Sequence, residues 1–499
     1  MEKRFIMAID QGTTGTHVAL FNHDGQIHAS AYREIRQIYQ KPGWVEHDPR
    51  EYWDTTMECA AEVFKKGNTS AAEVAAIGIA CQRETTILWD RDTGEPLYYA
   101  VVWQSRQSAA ICEDMKEKGL EEHVRQHTGL PIDAYFSGTK IRWIIDNVPG
   151  VREKVKAGKV CFGNIDSWLM YKLSGGASHV EDYSNASRTM LLDIKTLKWD
   201  ERIMEALGIS EQMMPQLKPS SGILTMTSRD VFFGEEIPVA GDAGDQQAAT
   251  FGQACFEPGI AKNTYGTALA LMMNIGKEMK LSHNGLMTDL AWVLPEKKEY
   301  ALEGLVFVGG AVIQWLRDGL KIIKESAEVS ELAARVEDTG GVYLVPAFVG
   351  LCAPYWDMYA RGTIVGITRG TTNEHIARSA LEAIAYQTRD ILDCMEKDSG
   401  QKATSLRVDG GATRSDFLMQ FQADVLGIPI QKPVVTEMTA LGTAYLAGLG
   451  VGFWSDQEEI AKQWKVARVF EPNMSADKRE TLYAGWKCAV ERSLDWARE

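Results

Sequence analysis

The side chains best suited to chemistry gather first in Pro238-Val-Ala-Gly-Asp-Ala-Gly-Asp245-Gln246-Gln-Ala-Ala249, where an apolar strand gives way to a helix-forming run. Gly241 and Gly244 allow the backbone to turn sharply and approach a ligand, and a helix opening at Gln246 aims its first amides at an anion. Asp245 then stands at that helix mouth, either as a carboxylate base beside phosphate oxygens or as a plain helix cap.

Other stretches break the tie. Asp10-Gln-Gly-Thr-Thr-Gly-Thr16 reads as a tight polar turn between a strand over Arg4 to Ile9 and a returning strand over His17 to Asn22. Its amides and the Thr13 and Thr14 hydroxyls suit phosphate oxygens, and Asp10 suits a magnesium ion held through waters. A similar glycine-threonine turn recurs at Asn263-Thr-Tyr-Gly-Thr267, so the chain reads as two related halves that each supply a phosphate loop. Val74 to Cys81 reads as a buried strand delivering Gln82-Arg83-Glu84-Thr85-Thr86 at its carboxyl end, where ligands bind in open α/β sheets. A cation beside an anion offers the donors and acceptors that polyol hydroxyls need. Trp103 and Tyr135, each near polar residues, fit either core filling or a wall against the carbon face of a small ligand. Gly410-Gly411, between a short strand over Leu406 to Asp409 and a helix from about Ser415 to Leu426, reads as a further nucleotide loop.

The elements that must position these residues are spread over 499 residues, too many for one compact core. Gly252 and Pro258-Gly259 interrupt the helical signal, which divides the chain into domains at 1–252 and 253–499. Asp48 and Pro49 start a helix with Trp53, Met57, Ala60 and Phe64 on one face, and Thr372 to Lys397 is a long amphipathic helix. A helix over Thr439 to Leu449 is rich in small residues and is expected to pack tightly. A formal net charge of -15 argues against nucleic acid or an anionic membrane as partner. No apolar run reaches the roughly 18 residues of a membrane span. The eight cysteines are scattered, with no CxxC pair and no His cluster at zinc spacing, so they read as reduced and mostly buried, which favours the cytoplasm.

In order along the chain, the Asp10 to Thr14 turn, Pro42-Gly-Trp-Val-Glu-His-Asp48, Gln82-Arg-Glu-Thr-Thr86, Tyr135-Phe-Ser-Gly-Thr-Lys140, Gly244-Asp-Gln-Gln-Ala248, Asn263-Thr-Tyr-Gly-Thr267, Ile313-Gln-Trp-Leu-Arg317 and Asp409-Gly-Gly411 together resemble the FGGY carbohydrate kinases. Within them, Gly-Trp-Val-Glu-His-Asp and Arg-Glu-Thr-Thr resemble the glycerol kinase branch. The resemblance implies an α/β fold of two actin-like (ribonuclease H-like) domains with the catalytic cleft between them, ATP and Mg²⁺ on one side and glycerol deep on the other. It implies that Arg83, Glu84, Trp103, Tyr135, Asp245 and Gln246 line the glycerol site. In that reading Asp245 takes the proton of the terminal hydroxyl that attacks the γ-phosphate. Thr13, Thr14, Thr267, Gly310, Gln314, Gly411 and Ser415 would contact the nucleotide, and Asp10 with Asp245 would hold Mg²⁺. The chain is further expected to form a homo-oligomer, dimer or tetramer, with no nucleic acid partner and no membrane insertion.

The chain departs from that pattern at a few positions. His17 replaces an Arg beside the phosphate hairpin, and Ser415 replaces an Asn near the adenine. Ala268 and Ala270 stand where many glycerol kinases have Gly and Phe. With Thr264 to Leu271 as one strand, Gly266, Ala268 and Ala270 share a face without bulk, which either opens the polyol wall to a longer polyol such as erythritol or is refilled by Met272 or Met273, and the unchanged Arg83, Glu84, Asp245 and Gln246 favour glycerol. A non-catalytic actin-like ATP-binding protein is the other alternative, and the joint presence of Asp10, Asp245 and the Arg83-Glu84 pair argues against it.

Overall fold

Both faces of strand β1 (Phe5–Gln11) are apolar because both are covered. Phe5, Met7 and Ile9 pack with Tyr52 and Val63 of helix α1 (Pro49–Gly67), whereas Ile6 and Ala8 pack with Leu441 and Ala444 from near the other end of the chain. Double cover explains why the strand reads as a continuous hydrophobic run and not as an alternating one. The computed structural model describes residues 2–498.

The first sheet contains β1, β2 (Gly15–Phe21), β3 (Ile27–Glu34), β4 (Val74–Cys81), β5 (Ser221–Met226) and β6 (Pro238–Gly244), in the order β5-β6-β4-β1-β2-β3. The second contains β7 (Ala261–Tyr265), β8 (Leu269–Gly276), β9 (Met287–Leu294), β10 (Lys297–Val306), β11 (Leu406–Asp409), β12 (Ile430–Pro433) and β13 (Val466–Phe470), in the order β9-β10-β8-β7-β11-β12-β13. The run β3-β2-β1-β4-β6 matches the run β10-β8-β7-β11-β12 strand for strand: an antiparallel meander, then two parallel strands. The two glycine-threonine turns are the equivalent hairpin tips of these related halves.

The helices that frame the site are α2 (Glu121–Thr128), α3 (Asp245–Gly252), α4 (Ala311–Asp318), α5 (Asn373–Ser399), α6 (Asp416–Leu426) and α7 (Met438–Val451). The small residues of α7 let it press on the first sheet, where Thr443 Oγ1 donates to the Ile79 carbonyl at 2.8 Å and Leu446 O accepts from Ser221 Oγ at 2.7 Å. Gly241, expected to form a turn near a ligand, is instead a mid-strand residue of β6. A Cβ there would lie 2.3 Å from the Ala447 amide nitrogen, so this glycine admits a helix.

Two strand boundaries also differ from expectation. β1 continues through Asp10 and Gln11, so Asp10 is a strand residue opposite His17 in β2 and Ala80 in β4. The stretch over Thr264 to Leu271 is not one strand but the β7–β8 hairpin, closed by the Gly266 amide donating to Ala268 O at 3.0 Å. Thr264 and Ala270 consequently face one another across the hairpin. Among the described residues, no helix is long and apolar enough to cross a membrane.

Candidate active site

Strands β4 and β6 are parallel, with Gly244 in register with Cys81, so their carboxyl ends release Arg83 and Asp245 side by side. Arg83 Nε lies 3.2 Å from Asp245 Oδ1, with the Arg83 side chain 3% exposed and that of Asp245 28%. A reachable carboxylate is thereby backed by a buried cation. Asp245 is the first residue of α3, and its Oδ1 also accepts from the Gln246 amide at 2.7 Å. Asp10 lies one strand away from β4. Burial, followed by the nearby carboxylates of Asp245 and Glu437, pushes its pKa up to about 8. Burial also lowers the pKa of His17, its hairpin partner, which keeps that imidazole neutral at pH 7.

The β1–β2 tip is held from three sides. Gln37 Nε2 donates to the Thr13 carbonyl at 2.9 Å, Gln82 Nε2 to the Gly12 carbonyl at 3.4 Å, and Trp103 Nε1 to Thr13 Oγ1 at 3.0 Å. The Trp103 ring meets Tyr135 edge to face at 5.6 Å, so one side chain joins the hairpin to the aromatic wall. Thr14, at the exposed side of the tip, has its hydroxyl 3.4 Å from Tyr32 OH.

Glu84 adopts a left-handed backbone, φ 62°, unusual for a non-glycine residue and worth about 1–3 kcal/mol of strain. Its carbonyl accepts from Ser137 Oγ at 3.0 Å and Lys140 Nζ at 3.4 Å, and its carboxylate from Arg188 Nε at 2.6 Å. Arg188 was not evident from the sequence. Neither were Asp289, Glu303 and Lys262, which the second domain brings to the same place. Arg188 is fully buried, its Nη1 2.7 Å from both Asp289 oxygens and 2.8 Å from Glu303 Oε2. Burial alone would raise the pKa of Glu303, but Arg188 and Arg83 outweigh it and hold the carboxylate at about 2. Gln246 Oε1 accepts from the buried Lys262 Nζ, again across the domains. A lone acid inside the apolar run Tyr300-Ala-Leu-Glu303-Gly-Leu-Val306 was the available signal, because a buried charge requires a partner.

The other residues assigned to the nucleotide, besides Thr13 and Thr14, lie on the second domain. Thr267 is in the β7–β8 tip, and Gly310 caps α4 while its amide donates to Gly266 O at 2.8 Å and that of Ala311 to Thr267 O at 3.2 Å. Gly410, φ 91°, sits so close to β7 that a Cβ would lie 2.6 Å from Tyr265 O, which brings the Gly411 turn against the same hairpin. Gly411 itself borders open space. Gln314 is exposed on α4. Ser415 is turned to structural use: its Oγ caps α6 by accepting from the Leu418 amide at 3.1 Å and lies 2.7 Å from Ser330 Oγ.

Residues 5–252 match the N-terminal domain of the FGGY family of carbohydrate kinases, and residues 261–451 match its C-terminal domain. The chain belongs to this family, whose two-domain, actin-like α/β architecture it shares. It is 58% identical to a glycerol kinase of Caldanaerobacter subterraneus subsp. tengcongensis over 99% of this chain and 100% of that one. It is likewise 58% identical to glycerol kinase 2 of Thermotoga maritima, with the same coverage of 99% and 100%. Among solved structures, the glycerol kinase of Plasmodium falciparum with ADP superposes with a TM-score of 0.93 at 36% identity, covering 99% of each chain. A gluconate kinase of Lactobacillus acidophilus shares the fold at 23% identity, with a TM-score of 0.87 over 98% of this chain and 97% of that one.

Proposed function

We propose that the protein transfers the γ-phosphoryl group of ATP to a terminal hydroxyl of glycerol, giving sn-glycerol 3-phosphate and ADP. The observation that carries this reading is the reachable Asp245 carboxylate 3.2 Å from Arg83, in a chain 58% identical over its length to glycerol kinases. Asp245 accepts the hydroxyl proton as the oxygen attacks the γ-phosphorus and the bond to the ADP oxygen breaks. Arg83, Glu84 and Gln246 hold the polyol hydroxyls, with Trp103 and Tyr135 against its carbons. Such a reaction needs positioning and charge neutralisation above all. Thr13 and Thr14 from one hairpin and Thr267, Gly310 and Gly411 from the other half would meet the nucleotide, with Gln314 and Ser415 at its margin. The oxygen-only donor set of Asp10 and Asp245 fits a hard cation such as Mg²⁺, which when bound would neutralise phosphate charge.

Glycerol is favoured over a longer polyol because Leu305 can supply the apolar wall that Ala270 does not. Leu305 of β10 stands directly opposite Ala270 in β8, on the strand face that also presents Glu303. It packs against the cores of both domains. The gap between the last strand of the first sheet's parallel run, ending at Gly244, and the first strand of the second sheet, starting at Ala261, supports a division into 1–252 and 253–499, with α7 returning to the first sheet. Free, mostly buried cysteines support a cytoplasmic setting. A coupled assay of ADP release across three- to five-carbon polyols tests the reading. Glycerol should give the highest kcat/KM, and a higher value with erythritol would overturn it.

A further inference from the structure

The sequence was expected to hold no His cluster at zinc spacing, yet His123 and His127 lie one turn apart on α2 and converge on a shared carboxylate. His123 Nε2 is 3.0 Å from Asp200 Oδ2, and His127 Nδ1 is 3.6 Å from the same oxygen. The two imidazole rings stack with centroids 4.1 Å apart, and one nitrogen of each lies with an Asp200 oxygen inside a group whose members are within 4.8 Å of one another. Asp193 adds a second carboxylate, its Oδ2 3.1 Å from His127 Nδ1.

We propose that His123, His127 and Asp200 form a binding site for a divalent transition metal, with the chemistry of Zn²⁺, separate from the active site. Two imidazoles and a carboxylate are the common oxygen and nitrogen ligands of that ion. The two nitrogen–oxygen spacings to Asp200, 3.0 and 3.6 Å, bracket the edge of about 3.3 Å that a tetrahedron with bonds of about 2.0 Å requires. Both carboxylates are already oriented by the backbone. Asp200 accepts from the Ile203 amide at 2.9 Å as the cap of the helix Glu201–Leu207, and Asp193 accepts from the Lys195 and Thr196 amides at 2.8 and 3.2 Å. Such support holds ligands in place before an ion arrives. The ion takes the position of the ring protons, each imidazole staying neutral with its proton on the opposite nitrogen, and the charges of Asp193 and Asp200 balance the ion. Access comes through His127, whose side chain is 37% exposed, whereas that of Asp200 is 7% exposed. A bound metal would clip α2 to the segment before the helix Glu201–Leu207.

The test uses the full-length, tag-free chain, stripped with chelator and kept in excess Mg²⁺ so that carboxylate sites elsewhere are filled. Zn²⁺ titration by calorimetry should show one equivalent bound with micromolar or tighter affinity, and Co²⁺ should give the visible absorption of a tetrahedral site. His127→Ala should weaken Zn²⁺ binding by roughly tenfold or more while leaving circular dichroism and glycerol phosphorylation unchanged. Zn²⁺ should raise the melting temperature of the wild type and not of this variant. Equal Zn²⁺ affinity in wild type, His123→Ala and His127→Ala, or no stoichiometric binding at all, would overturn the proposal and leave two His-Asp pairs with a purely structural role.

Discussion

Arg83 and Glu303 belong to different domains and are joined by two buried hydrogen bonds, Nη1 to Oε2 at 3.0 Å and Nη2 to Oε1 at 2.5 Å. The cation that backs Asp245 is therefore fixed from the opposite wall of the cleft. Glu303→Gln keeps the shape but removes the charge from between two arginines. Breaking a buried pair in this way costs about 3–5 kcal/mol. The variant should melt well below the wild type and lose glycerol kcat/KM, and unchanged values of both would show that the pair does not organise the site.

The Leu305 wall makes a prediction opposite to that drawn from an open Ala270 face. Ala270→Phe alone crowds Leu305, with an overpacking cost of about 1–3 kcal/mol, and should not lower the glycerol KM. Leu305→Ala should raise that KM by about threefold to tenfold, since partial loss of an apolar contact removes on the order of 1 kcal/mol. Combining the two substitutions should restore binding. A lower KM for Ala270→Phe by itself would mean that the wall is open after all.

His47 links stability at acid pH to the phosphate hairpin. Its Nδ1 is 2.6 Å from Tyr52 OH and its Nε2 2.8 Å from Gln37 Oε1, and Gln37 in turn holds the Thr13 carbonyl. Burial lowers its pKa from 6.5 to about 4. Between those values the unfolded chain carries a proton that the folded chain refuses, so stability falls as pH drops through that window, by up to about 3 kcal/mol from this group. Denaturant titrations should therefore show a shallower loss from pH 6.5 to 4 in His47→Gln than in the wild type. Parallel pH profiles would count against this role.

Local signals carried much of the site. The strand-turn patterns at Asp10–Thr16, Cys81–Glu84 and Gly244–Gln246 each place their polar residues within a few positions of a recognisable strand end, so chemistry and local structure were read together. What escaped was long-range. Arg83 meets Glu303 across 220 positions, and Gly241 is explained only by α7, which arrives from the far end of the chain. The Ala270 face looked empty because its cover is contributed by a neighbouring strand. Reading Thr264 to Leu271 as one strand failed because side-chain alternation does not reveal that Gly266 to Ala268 reverse the chain.

Turnover of Asp245→Asn in the ADP-release assay with glycerol tests the assignment of the base most directly. The amide fills the same space beside Arg83 but cannot accept the hydroxyl proton, while ATP binding and the fold should persist. General-base catalysis is worth roughly 10² to 10⁴ in rate, so kcat should fall at least about a hundredfold. A variant that kept more than about a tenth of the wild-type rate would contradict Asp245 as the base.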